Sequence, residues 1–309
     1  MNELIEEKLA ALSNTTILYP AYEKAIKKIQ HSISVSNTRG EPSSAMLLGD
    51  AGTGKTTLCN HLVNIIGKPI DICDTDGAYQ YTPILLCSIP AHFTIKSLTL
   101  GILEKLGCIE SVYQSATLNY RLVTRLKTCR TKVIVLDEFQ HLLEKGAEKT
   151  REMLCNWVKD LTNQTLIPII LAGTPNCEAI VDNHPQLARR YPYRIQLHNL
   201  SFNSEFRPVL TALFGEMIKI GNLRAEIVIT DVQTAKIFYA YSGGNLNSLC
   251  LLLYEIFQHS LTKAENTLTL NDCIAALDEL DFPPYFPLTG NAFTLAPRII
   301  NNVLSRHSP

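Results

Sequence analysis

Eight residues, Gly49-Asp50-Ala51-Gly52-Thr53-Gly54-Lys55-Thr56, set glycines, a lysine and a hydroxyl in the order G-x-x-x-x-G-K-T. Glycines at this spacing let the backbone curl until successive N–H groups point at phosphate oxygens, and a helix starting at the end of the loop adds its positive pole. Lys55 is placed to neutralise the β- and γ-phosphates of ATP, and the Thr56 hydroxyl to ligate magnesium. Asp50, Ala51, Gly52, Thr53, Gly54, Lys55, Thr56 and Thr57 are therefore the candidate nucleotide ligands.

A second cluster, Val133-Ile134-Val135-Leu136-Asp137-Glu138, is an apolar run that ends in two acids. Asp137 is the candidate for holding Mg2+ together with Thr56, and Glu138 for polarising an attacking water. A third run, Ile167 to Ala172, leads into Gly173-Thr174-Pro175, which puts the Thr174 hydroxyl where a γ-phosphate sensor would sit. Downstream, Leu187-Ala188-Arg189-Arg190-Tyr191 closes a helical stretch with two guanidinium groups. At a subunit edge, Arg189 or Arg190 could reach a neighbour's γ-phosphate.

Positioning these groups requires strands that end side by side. The strand-like runs are Ala45–Leu48, Pro83–Ile89, Lys132–Leu136, Ile167–Ala172 and Tyr193–Leu197. Helical spacings lie between them, such as Leu98, Ile102, Leu103 and Leu106, or Leu154, Trp157, Val158 and Leu161. The pattern predicts an α/β fold with a mostly parallel central sheet flanked by helices. After Asn199 helical stripes take over, through 209–218, 232–241, 246–257 and 271–280, and predict a small C-terminal helical lid. Expected boundaries are an N-terminal helical segment over 1–30, a nucleotide-binding subdomain over 31–199, the lid over 200–280, and a Pro/aromatic-rich tail over 281–309. The tail's prolines forbid regular helix near 283–287. It reads as an extended segment docking on a partner.

Among the 309 residues, 46% are hydrophobic and 18% charged, which suits one sizeable core and a smaller second one. A net charge of −1 excludes a surface that grips nucleic acid everywhere, though not a local basic strip. Nine cysteines without a C-x-x-C pair suggest neither disulfides nor zinc, and each reads as a reduced, buried apolar residue. No run spans a bilayer and the N-terminus is too acidic for a leader, so no membrane partner and a cytoplasmic location in the bacterial cytosol are expected.

Together the phosphate loop, Leu136-Asp137-Glu138-Phe139-Gln140-His141-Leu142, Leu171-Ala172-Gly173-Thr174-Pro175 and Pro185-Gln186-Leu187-Ala188-Arg189-Arg190 resemble the TniB/TnsC family of AAA+ regulators of DNA transposition. The resemblance spans residues 10 to 260 or so. It implies an ATPase, stimulated by assembly or a partner, that forms a ring or helical filament on double-stranded DNA. It also implies two further partners, a transposase and a target-selector protein or CRISPR-associated complex. DNA contacts carried over from the family fall on Lys96 and on Arg121 and Arg125, with Lys127 and Arg130 nearby. One departure is visible: such regulators often carry an arginine after a Gly-Gly pair at the start of a lid helix. Here Ser242-Gly243-Gly244-Asn245-Leu246-Asn247 keeps the glycines, yet no Lys or Arg occurs between Lys236 and Lys263. Weak intrinsic hydrolysis, with ATP acting as an assembly clamp, is the expectation. The competing readings are a helicase-loader or initiator ATPase of the same fold and a signalling NTPase that binds no nucleic acid.

Overall fold

The computed structural model describes residues 3–74, 77–108, 115–143, 148–263, 265–281 and 283–307. In chain order the first elements are α1 (Glu3–Ser13), α2 (Pro20–Arg39), β1 (Ala45–Gly49), α3 (Lys55–Ile66), β2 (Ile70–Asp74), β3 (Gly77–Tyr81) and β4 (Ile84–Ser88). Then come α4 (Ile95–Lys105), α5 (Ser115–Thr128), β5 (Val133–Asp137), α6 (Glu148–Thr165), β6 (Ile169–Gly173), α7 (Glu178–Asp182), α8 (Pro185–Ala188) and β7 (Tyr193–Leu197). The remainder comprises α9 (Arg207–Gly221), β8 (Arg224–Ala225), α10 (Val232–Ser242), α11 (Leu246–Leu261), β9 (Thr267–Leu268), α12 (Leu270–Glu279) and α13 (Pro297–His307).

Residues 21–197 form one compact unit and residues 1–20 with 198–309 another. In the first, five parallel strands run in the order β4-β5-β6-β1-β7. Strands β1, β5 and β6 are buried along their whole length, as continuous apolar runs covered on both faces must be. Registers align Leu48 with Gly173, Gly49 with Leu197 and Ser88 with Asp137, so the loops after β1, β5 and β6 leave one edge of the sheet together. Ligands of open α/β sheets bind along that edge.

Two features of this unit escaped the sequence reading. An antiparallel hairpin, β2 with β3, stands between α3 and β4. Helix α2 runs on to Arg39, past the boundary expected at residue 30, because Ser32 and Ser36 side chains bind the Ser43 carbonyl and so fasten its end to the entry of β1.

The second unit packs α1 against α9 and α11, and α11 against α12, with β8 and β9 as a short parallel pair. Side-chain caps start its helices: Asp231 accepts from Thr234 N–H and Asn245 from Ser248 N–H. Gly244 (φ 74°) is required by crowding, since a Cβ there would stand 2.1 Å from the Leu200 carbonyl oxygen.

The tail departs from its expected role. Of the expected terminal segments, Met1, Asn2, Phe282, Ser308 and Pro309 lie outside the described residues. The rest of the tail folds back within its own unit: Tyr285 and Phe286 N–H donate to the Tyr241 and Ala240 carbonyls, and Phe286, Ala292, Ile300 and Leu304 form a cluster with Ala240. Burial of these side chains, worth about 2 kcal/mol each for the larger ones, competes directly with docking on a partner. The cysteine expectation also needs correction. All nine are free thiols, but Cys73 and Cys250 are exposed and Cys108 is half-buried.

Candidate active site

The loop from β1 to α3 has the conformation its glycines allow. Gly52 (φ 79°) and Gly54 (φ 86°) are left-handed, and a Cβ on Gly49 would stand 2.6 Å from Thr53 Oγ1 and 2.7 Å from the Leu197 oxygen. Thr53, almost fully buried, folds its hydroxyl onto the Asp50 carbonyl at 2.8 Å. Lys55 Nζ reaches back over the loop to the Gly49 and Asp50 carbonyls at 2.7 and 3.0 Å. Helix α3 has no side-chain cap at its N-terminus, where an anion would serve as the cap.

Thr56 Oγ1 donates to Asp137 Oδ2 at 2.8 Å. Eighty-one residues of chain separate them, so the fold itself brings the phosphate loop and the acid pair together. Asp137 is buried, and its other oxygen accepts the Glu138 N–H at 2.9 Å. Glu138 is left-handed (φ 62°), an uncommon conformation for a residue without glycine's freedom, and this turns the chain sharply into a single 3-10 turn, Phe139–Leu143. That turn is pinned to the end of β4 by His141 Nδ1 against the Ile89 oxygen at 2.6 Å. Gln140 Nε2 donates to Glu138 Oε2.

Thr174 follows β6 half-exposed, and its hydroxyl lies 3.7 Å from Cys177 Sγ. Burial pushes the Cys177 thiol up, as burial and the Asp137 carboxylate do for Cys59 against the opposing pull of Lys55, so both thiols stay neutral and unreactive.

The two arginines part company. Arg189 is exposed, whereas Arg190 is half-buried with its guanidinium 3.5 Å from Thr162 Oγ1 of α6. The pair does not present two equivalent groups at an edge.

Among the groups carried over for DNA, Lys96 is exposed in the first turn of α4 and Arg121 is half-buried on α5. Arg125 is committed inside the unit, with Nε donating to the Leu106 carbonyl at 2.9 Å and so closing the end of α4. Lys127 is exposed, and Arg130 lies over the Tyr79 ring at 5.3 Å.

Two residues escaped the sequence reading. Tyr22 of α2 is fully buried and donates its phenol hydroxyl to the Gly54 carbonyl at 2.8 Å, bracing the loop from behind. Gln140 stands in the sequence as one letter of the Leu136–Leu142 stretch. Nothing local marks Tyr22, whereas the spacing of Gln140 two residues after Glu138 in a tight turn was a usable signal.

The residues fit a triphosphate and its metal. The loop supplies a glycine cradle, a lysine and a helix N-terminus, and the paired hydroxyl and carboxylate offer hard oxygen donors. Among the described residues no group of three or more His, Cys, Asp or Glu could hold a metal unaided, so an ion here would take its remaining ligands from phosphate and water.

A parallel sheet with its phosphate loop after β1, acid pair after β5, threonine after β6 and a separate helical unit defines an ATPase of the AAA+ class. The chain belongs to the bacterial TniB protein family, whose profile matches residues 9–199, more than half of its length. No curated protein matches the sequence. Solved structures of similar fold include Aeropyrum pernix ORC2 in ADPNP and ADP complexes, with TM-score 0.60, 13% identity, and coverage of 85% of this chain and 68% of that one. CDC6P from Pyrobaculum aerophilum gives TM-score 0.58 at 14% identity over 86% and 69%. The RuvB Holliday junction branch migration motor of Thermotoga maritima gives 0.50 at 16% over 84% and 69%.

Proposed function

We propose that this chain is an ATP-dependent regulator of DNA transposition that assembles on double-stranded DNA and links target selection to transposase recruitment. The hydrogen bond from Thr56 to Asp137 carries the enzymatic half of this reading, because it joins the phosphate loop to the acid pair in one site. Membership of the TniB family supports the DNA half.

In this reading Asp50 to Thr57 wrap the phosphates of ATP, and Lys55 exchanges its loop carbonyls for β- and γ-phosphate oxygens. Thr56 and Asp137 hold magnesium, which when bound neutralises charge developing on the phosphates. Glu138 takes a proton from the attacking water, and Thr174 turns its hydroxyl to the γ-phosphate. Arg189, being exposed, is the better candidate for reaching into a neighbouring subunit. Lys96 and Arg121 contact DNA phosphates, and Arg125 offers the guanidinium N–H groups that Leu106 does not take. Contacts of this kind position without reading bases, and repetition along an assembly compensates for their small number.

The test is duplex binding at low salt with ATP, with a non-hydrolysable analogue, and with neither, followed by electron microscopy. Nucleotide-dependent binding that falls steeply with salt, and continuous assemblies on DNA, are expected. Duplex affinity that ignores nucleotide would contradict the proposal.

A further inference from the structure

Gln140 is held between the acid pair and the end of β6. Because an ionised carboxylate only accepts hydrogen bonds, the amide must turn its nitrogen to Glu138 Oε2, which leaves its own oxygen facing the other way. That oxygen, Oε1, is buried and accepts no hydrogen bond among the described residues. It packs against position 173, where a Cβ would stand 2.8 Å from Cys177 Sγ, 3.1 Å from Gln140 Oε1 and 3.3 Å from Gln140 N. Gly173 directly precedes Thr174, the candidate sensor of the γ-phosphate. A buried acceptor without a donor costs free energy and in folded proteins is normally matched by water or ligand. The missing donor must be small, and the nitrogen of the same amide already holds the Glu138 carboxylate.

We propose that Gln140 is a water-positioning residue for ATP hydrolysis: its amide N–H fixes the Glu138 carboxylate, and its carbonyl oxygen accepts one hydrogen of the attacking water. The second hydrogen faces Glu138. With both hydrogens directed, the water presents a lone pair to the γ-phosphorus. Its oxygen forms the new P–O bond, the bond to the β,γ-bridging oxygen breaks with its electron pair going to ADP, and the proton passes to Glu138, giving ADP and inorganic phosphate. This inference deepens the ATPase reading and rests on it. A side chain at Gly173 would meet Cys177 Sγ first, at 2.8 Å, and would press on the Gln140 amide as well.

The experiment compares the full chain with Gln140→Ala and with Gln140→Met, which keeps the volume and removes both hydrogen-bonding atoms. Steady-state hydrolysis is measured with Mg2+ and duplex DNA present, and binding with a fluorescent ATP analogue. In both variants kcat is expected to fall roughly 10- to 100-fold while nucleotide affinity stays within about twofold, because only the transition state needs the oriented water. In a Glu138→Gln background, Gln140→Ala should add little further loss, since both side chains act on one water. A kcat equal to or above wild type, a loss of affinity matching the loss of kcat, or fully additive losses would each overturn the proposal. If the wild type hydrolyses ATP and Glu138→Gln does not, those outcomes remove Gln140 alone. If the wild type neither binds nor hydrolyses ATP, the ATPase reading falls and this inference with it.

Discussion

Removing one oxygen at position 22 should loosen the phosphate loop without touching a residue that meets the nucleotide. In Tyr22→Phe the ring still fills its fully buried site, so no cavity opens. What disappears is the 2.8 Å hydrogen bond to the Gly54 carbonyl. That carbonyl keeps the Leu58 N–H at 2.9 Å and is not orphaned, which places the cost in the ordinary range of a single hydrogen bond, about 0.5–1.5 kcal/mol. For a unit of this size about 1 kcal/mol corresponds to a fall in Tm of roughly 2–4 °C. If half or more of the loss falls on the loop's nucleotide-ready conformation, ATP affinity should weaken about two- to fivefold. Tyr22→Ala, which does open a cavity, should cost about 3–5 kcal/mol. Thermal unfolding and titration of a fluorescent ATP analogue check both numbers. Unchanged Tm and affinity in Tyr22→Phe, or a loss as large as that of Tyr22→Ala, would each rule out a single bracing hydrogen bond at this site.

Arg189→Ala should leave nucleotide binding and Tm nearly unchanged while reducing hydrolysis in the assembled state on the order of 100-fold or more; Arg190→Ala should instead lower Tm by a few degrees, as its half-buried side chain and the contact with Thr162 are lost, and a swap of these phenotypes in the same assays would reverse the assignment. Stability of the helical unit should also depend on pH through Asp272. Burial pushes this carboxyl up, but hydrogen bonds from Lys263 and Thr269 outweigh it and hold the group below its usual value. Its contribution is therefore complete above about pH 4, the ordinary carboxylate value, and is lost as pH falls through the lower folded value. Asp272→Asn should flatten the acid limb of Tm against pH, measured by scanning calorimetry.

The chemistry was most legible where it is contiguous in the chain. Gly49 to Thr56 and Asp137-Glu138 announce themselves because each motif needs neighbouring residues on one strand-to-loop turn, and continuous apolar runs at β1, β5 and β6 mark strands buried on both faces. Contacts between distant segments were not legible. Tyr22 and Gly54 are thirty-two positions apart, and no periodicity predicts that a helix would aim a phenol at that carbonyl. Arg189 and Arg190 look alike in a string of letters and differ only in which way the turn after α8 points each side chain. The hairpin at 70–81 does not read as core in the sequence because polar residues, Asp71 and Gln80 among them, interrupt its apolar pattern. The tail misled for a physical reason as well: Phe286, Ile300 and Leu304 look like anchors for a partner, and the structure uses them as anchors on α10.

If the phosphate loop switches assembly on and off, two variants observed side by side on duplex DNA must behave in opposite ways. With ATP and Mg2+ present, Lys55→Ala should form no assemblies by electron microscopy and release no phosphate. Glu138→Gln should form assemblies at least as abundant as wild type, dissociating slowly, with phosphate release suppressed. Assembly of Lys55→Ala on DNA to wild-type extent would rule out ATP-controlled assembly, as would Glu138→Gln failing to assemble while still binding ATP.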